Sequence, residues 1–201
     1  GFPTAYFIAT RPANVRPLWV FLITIPYWVN LLIRTVSMRF MLREEGPLNN
    51  ALMWSGIVDS PLQMINTNFA VQIGLFYSYL PFMVLPIYAT LEKLDLDLLE
   101  AAEDLGCSRT SAFWLITIPL SKTGIIAGCF LVFIPTLGEF VIPSLLGGSQ
   151  TLMIGKVLWE EFFNNRDWPV ASALAIVMLL LLLVPIVLFH RFQAREMEKH
   201  G

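Results

Sequence analysis

Few side chains in this chain could do chemistry, and the foremost is Glu139. It stands in an otherwise uncharged run, follows Pro135 and Gly138, and precedes Pro143. A helix interrupted by those residues is kinked, with freed carbonyls turned toward a cavity. An ionisable group in such a run is a functional suspect by default. Tyr77 and Tyr79 lie in a second apolar run and are weaker candidates, because polar tips on membrane helices more often bond to neighbouring helices. Asp167 and Trp168, with Glu160 and Glu161, make an acidic and aromatic cluster, although a solvated loop explains the two glutamates at least as well.

Catalytic chemistry lacks its parts. The sequence has no G-x-x-x-x-G-K-[ST] phosphate loop, no H-E-x-x-H and no G-x-S-x-G. The only histidines, His190 and His200, come too late in the chain to serve an intramembrane site. Cys107 falls in a polar segment and Cys129 in an apolar one, so neither a mutual disulfide nor a metal cluster is expected. The net charge of −2 offers no basic footprint for nucleic acid.

The elements that must position these residues are membrane helices. Of 201 residues, 56% are hydrophobic and only 14% charged, and the mean hydropathy is +0.67. Soluble domains carry about 25% charged residues. A bilayer core about 30 Å thick needs roughly 20 apolar residues at 1.5 Å each. Residues 17–33, 69–91, 123–138 and 168–189 contain no Asp, Glu, Lys or Arg. The first extends through Arg34 if that side chain reaches an interface, and the third is short unless it continues past Glu139. A buried soluble core would need amphipathic helices to cover it, and too few polar residues remain to build them. The opening "GFPTAYFIATRP" reads as the tail of a crossing already under way, which leads us to expect a fragment lacking its N-terminal part.

If the 91–122 segment is on side one, four crossings put Arg11, Arg16, Lys93, Arg109, Lys122, Arg191, Arg195 and Lys199 there. Arg34, Arg39, Arg43, Lys156 and Arg166 fall on the other side. The excess makes side one cytoplasmic by the positive-inside rule. The outer loops hold structure of their own. Residues 46–61 carry Leu48, Ala51, Leu52 and Ser55 at helical spacing, and 145–169 run from a Gly-Gly turn to Pro169 in the first turn of the last crossing. Rising from Lys122, a helix reaches Glu139 after ~25 Å, near the outer boundary.

Between two apolar runs sits "LEKLDLDLLEAAEDLGCSRTSAFWLITIPLSK" (91–122). Leu91, Leu94, Leu98, Ala101 or Ala102, and Leu105 recur at steps of three and four, one face of a helix. Glu92, Asp95, Glu100, Glu103 and Asp104 occupy the other faces. Gly106 stops that helix, Ser108 caps a second one with Ala112, Phe113 and Ile116 on its apolar side, and Pro119 ends or kinks it. Helical bundles connect their helices with about 2–8 residues. So long a cytoplasmic hairpin is either a surface amphipath without a partner or a docking element.

"EAAEDLGCSRTSAFWLITIPL" (100–120) resembles the EAA signature of binding-protein-dependent ABC importer permeases, at Glu100, Ala101, Ala102, Gly106, Ile116 and Pro119. "GFPTAYFIA" and "LLGG…DWPVASALAIVM" resemble other parts of the same family. "LEKLDLDLLEAAEDLG", "GIIAGCFLVFIPTLGEFVIPSLLGG" and "IGKVLWEEFFNNRDWPVASA" are similar to its spermidine/putrescine group, most of all the putrescine-type subunit.

The resemblance implies an all-α integral membrane protein, a polytopic bundle of the ABC importer type I permease fold, with one domain over residues 1–201. Crossings would fall near 1–10 (partial), 17–39, 69–91, 122–145 and 168–190, the coupling segment at 92–121, and outer loops at 40–68 and 146–167. It further implies a bacterial inner membrane, with the EAA segment and C-terminus cytoplasmic. The partners would be an ATPase homodimer that binds ATP and magnesium, a second similar permease and an extracytoplasmic polyamine-binding protein. The chain itself would bind no cofactor and would not be an enzyme. Glu100, Ala101, Ala102, Asp104, Leu105, Gly106, Ser108 and Arg109 would couple it to the ATPase, the apolar stripe packing on the permease and the acidic faces and the compact Ala101-Ala102 shoulder meeting the partner. A polycationic cargo needs carboxylates for its ammonium groups and aromatic faces for cation–π contact, which points to Glu139, Tyr77, Tyr79, Asp167 and Trp168. An amino acid or metal-chelate cargo is the alternative within the same machine, and an inward Arg or Lys in place of Glu139 would favour an anion. A channel or an intramembrane enzyme is the alternative outside it.

Overall fold

The computed structural model describes residues 1–95 and 97–200, with side chains described as far as Val187. His190, Arg191, Arg195, Lys199 and His200, invoked above from sequence, therefore have side chains outside the described set. All regular structure among the described residues is helical: α1 (Phe2–Ala9), α2 (Arg16–Thr24), α3 (Leu31–Met41), α4 (Pro47–Trp54), α5 (Asn68–Leu91), α6 (Asp97–Asp104), α7 (Arg109–Ala112), α8 (Ile118–Leu120), α9 (Lys122–Leu137), α10 (Val141–Leu146), α11 (Ile154–Trp159) and α12 (Trp168–His200). The chain forms two compact units, Gly1–Met38 with Gln72–Phe133, and Arg39–Val71 with Ile134–Gly201.

Two helices, Asn68–Leu91 and Trp168–Val187, are long and apolar enough to cross a bilayer unaided. Two more candidates are bent pairs: Arg16–Trp28 with Leu31–Met41 at 90°, and Arg109–Leu120 with Lys122–Leu137 at 61°. The segment expected as one crossing over 17–39 is thus an elbow. Its cause is local. Pro26 falls in a short 3-10 turn (Ile25–Trp28), Val29 is extended, and the Asn30 side chain accepts the Leu32 N–H to start a new helix. At the second bend Pro119 lacks the N–H that would continue the α-helical ladder, and Phe113–Thr117 widens into a π-helix.

In the first unit, Ala5 and Ile8 of α1 meet Val84, Ile87 and Leu91 of α5, with Val20, Ile23 and Ile125 packed around them. Helix α9 presses on α5 through a small-residue pair one turn apart. A Cβ on Gly124 would strike Thr90 Oγ1 and stand 2.7 Å from the Pro86 carbonyl oxygen, and one on Gly128 would stand 2.9 Å from Met83 Sδ. Where lipid removes the hydrophobic drive between helices, such close backbone approach supplies the packing.

In the second unit, Asn49 ties the 40–68 loop together. Its amide donates to the carbonyls of Arg43 (3.0 Å) and Leu62 (2.9 Å) and accepts the Leu62 N–H, with the residue 1% exposed. The helical spacing read from 46–61 materialises as α4, which Pro47 opens. Ile142, Leu146 and Ala171 are buried. Only 6% of the Trp168–Val187 window is buried, against 39% for α5.

Candidate functional site

The acidic hairpin is built by two caps. Helix α6 begins at Asp97, later than the stripe from Leu91 implied, because α5 continues to Leu91 and the chain turns before re-entering a helix; Asp95 accepts the Asp97 N–H there. Asp97 and Glu100 in the first turn suit the positive end of the helix dipole. At the far end Gly106 takes φ +85°, its N–H bonds to the Glu103 carbonyl, and the Cys107 N–H bonds to the Ala102 carbonyl. This is the Schellman pattern, which an L-residue with a Cβ adopts only under strain. Ser108 then accepts the Ser111 N–H and starts α7. Arg109 reaches back to Glu103 at 3.2 Å, an exposed pair bracing the bend from outside.

The second arm is anchored where the sequence placed its apolar side. Ala112 is buried, and the Phe113 ring meets Phe2 and Tyr6 edge-on at 5.7 and 5.5 Å. The first arm departs from expectation. Leu98 and Leu105, expected to pack on the permease, are 48% and 89% exposed, and Ala101 is exposed beside them. Of the predicted stripe, Leu91 is buried and Leu94 and Ala102 are half-buried, and Leu99, outside the stripe, is half-buried with them. The outward face therefore mixes leucine with Glu100 and Asp104.

Glu139 lies in a break between α9 and α10, as its prolines and glycine implied, but it is 7% exposed and its oxygen is engaged. Oε1 accepts the N–H groups of Val141 (2.9 Å) and Ile142 (3.2 Å), so the carboxylate caps α10. Helix α11 covers the break from outside through Gly155, where a Cβ would approach Gly138 to 2.7 Å. Asp167 caps likewise, accepting the Val170 N–H at 3.2 Å to start the last helix, while Trp168 is 62% exposed. Glu160 pairs with Lys156 at 3.8 Å. Phe140 stacks on Trp159 at 4.1 Å, and Trp159 on Phe163 at 4.1 Å, giving this region an aromatic ridge.

Tyr77 and Tyr79 come together with a residue the sequence had placed at an interface. Arg34 is buried, and its guanidinium carbon lies 5.6 Å from the Tyr27 ring and 5.8 Å from the Tyr77 ring. Tyr79 and Ser78 line a cavity of about 300 Å³ with Arg34, Tyr27, Trp28 and Asn30. The available signal was an arginine at the end of a charge-free run. What hid its burial was the elbow at 29–30, which turns the run through 90°.

The family model for binding-protein-dependent transport system inner membrane components matches residues 1–199. The spermidine/putrescine transport system permease protein PotB of Escherichia coli (strain K12) is 49% identical over 188 residues, covering 92% of this chain and 68% of the relative. PotB of Haemophilus influenzae is 43% identical over 191 residues, covering 95% of this chain and 67% of the relative, so the chain spans about two thirds of the length of either protein. Those names carry the spermidine/putrescine group rather than the narrower putrescine type. Among solved structures, a bacterial ABC transporter involved in the import of the acidic polysaccharide alginate superposes with a TM-score of 0.68 at 19% identity, covering 98% of this chain and 73% of that one. The shared fold is that of an ABC importer permease. A helical, multi-pass, inner-membrane protein with an exposed EAA hairpin, the chain belongs to the family of binding-protein-dependent transport system inner membrane components.

Proposed function

We propose that this chain is the membrane-spanning permease subunit of an ATP-driven importer that carries polyamines, putrescine or spermidine, delivered by an extracytoplasmic binding protein. The hairpin of α6 and α7 lies in the cytoplasm and seats on an ATPase dimer, which holds the ATP and magnesium; this chain contributes no cofactor. A second, similar permease completes the path. The C-terminus is on the hairpin's side, in keeping with the excess of basic residues there.

The observation that carries the reading is the outward face of α6. Leu98, Ala101 and Leu105 are exposed next to Glu100 and Asp104, which fits a groove that is apolar at its floor and basic at its rim. The Schellman turn at Gly106 and the Phe113 anchor make the two arms one body, so closure of the ATPase can move α7, the π-helix and α9 together. The cargo class is supported by the PotB relatives, and among this chain's groups Glu139, Tyr77, Tyr79, Asp167 and Trp168 are the ones proposed to meet it.

Uptake of labelled putrescine and spermidine by the reconstituted importer, with an amino acid as competitor, tests the cargo. Glu100→Arg and Gly106→Asp should each abolish uptake while the chain still inserts and binding-protein docking persists. Normal ATP-driven uptake in both variants removes the coupling assignment. One observation favours a cargo bearing a carboxylate instead: Arg34 is a buried cation, although no Arg or Lys stands in place of Glu139. Competition by the amino acid rather than by the polyamines would select that reading.

A further inference from the structure

Arg34 is the buried charge that the proposed function does not use. It is 8% exposed, its Nη1 donates to the Pro26 carbonyl at 3.2 Å, and its Nε is buried with no acceptor among the described residues. The two tyrosine rings beside it offer the faces of their π systems, which moderate a cation but do not neutralise it. No carboxylate among the described residues forms an ion pair with it. A buried, unpaired guanidinium is the arrangement proteins avoid unless a counter-charge arrives, and here a cavity of about 300 Å³, with Asn30, Ser78 and Tyr79 on its walls, opens beside it.

Depth limits what the counter-charge can be. Ser78 lies ~15 Å along α5 from Asn68, about half way through a hydrocarbon core about 30 Å thick. Lipid phosphates stay at the boundary, so an anion at this depth must be carried on protein or be the cargo. The proposed cargo is a cation and the sister permease belongs to the same proposal, so the inference rests on that reading. We infer that the cavity seats a carboxylate side chain presented by the sister permease, and that Arg34 is its ion-pair partner. The surface of the elbow suits such a contact: Trp28, Leu32, Ile33 and Val36 are 81%, 55%, 62% and 53% exposed. They form an apolar surround that a neighbouring helix would cover, excluding water from the pair.

The test uses the whole importer in nanodiscs, with a benzophenone amino acid at Val29 on the cavity rim and Arg34 intact. Illumination should join this chain to the sister permease, and mass spectrometry should find an Asp or Glu in the captured peptide. Arg34→Gln should lower recovery of the sister subunit with this chain on the order of tenfold or more, and Arg34→Lys should lower it less. Arg34→Glu combined with a Lys at the identified acid should restore it. Cross-links confined to lipid, or Arg34→Gln importers that assemble as the wild type does, overturn the inference. If Arg34→Gln fails to accumulate, the cross-link in the chain that keeps Arg34 decides alone. Polyamine uptake with no subunit cross-link sinks only the ion pair. Uptake of an amino acid that protects Val29 from cross-linking sinks the cargo reading as well.

Discussion

Two buried charges, Glu139 and Arg34, stand in equally apolar stretches and are handled in opposite ways. Glu139 finds donors in its own neighbourhood: a chain break frees two N–H groups, and the carboxylate accepts both. Arg34 keeps one carbonyl and two aromatic faces, and its Nε has no acceptor among the described residues. A carboxylate can be satisfied by the first turn of a helix that follows it, whereas a guanidinium needs acceptors from several directions at once. The comparison teaches that an ionisable residue in an apolar run is not by that fact alone part of a path. Glu139 caps a helix whatever else it meets, and Arg34 is buried with its Nε unbonded among the described residues.

The sharpest way to break the contrast is to disturb the enclosure of Glu139. Gly155→Val would press a side chain on the Gly138 backbone, and overpacking of this kind costs typically 1–3 kcal/mol, roughly the upper end here since backbone cannot move aside. A large drop in thermal unfolding temperature of the detergent-solubilised importer checks it. Next comes the cap itself. Glu139→Ala leaves two N–H groups without their acceptor, at a cost of about 1–3 kcal/mol, whereas Glu139→Gln retains a carbonyl oxygen and should recover much of the loss. Uptake then separates the cap from the proposed contact with cargo: a Glu139→Gln importer of near-normal stability that fails to take up polyamine puts Glu139 in the path, and one that transports normally leaves it the cap alone.

On the other side of the comparison, Tyr27→Leu removes one face from Arg34 and should destabilise by roughly 1 kcal/mol, the upper end for a cation–π contact with a half-exposed ring. If Arg34 already had a full complement of partners, the change would be no larger than at an exposed tyrosine. The smallest effect belongs to the hairpin. Glu103→Gln breaks an ion pair to Arg109 in which both side chains are largely exposed, and such pairs contribute about 0–1 kcal/mol. Unfolding temperature should hardly move, and ATP-driven uptake should persist, since the bend is held by Gly106 and the backbone.

Much of the local architecture could be read from residue types alone. Gly106 and Ser108 announce a turn and a cap because only certain residues tolerate a positive φ or offer a short-range oxygen, and both appear where expected. The run from Trp168 is legible for a similar reason: uniform apolarity and Pro169 suffice to begin and sustain a helix in lipid. Pro135, Gly138 and Pro143 foretold the break around Glu139. The EAA pattern foretold the hairpin and the family.

Tertiary structure decided everything that depends on direction. Whether Leu98 and Leu105 face inward is a matter of helix rotation about an axis, and periodicity defines a stripe without saying which way it points. That the run after Pro17 folds into an elbow and buries Arg34 depends on Val29 and Asn30 adopting an extended link that α5 then covers with Tyr77, Ser78 and Tyr79. Side chains 40 or more positions apart in sequence make that environment, and no window along the chain contains it. Local chemistry thus determined which elements exist and where they stop. Only packing between distant segments determined which charges are satisfied and which await a partner.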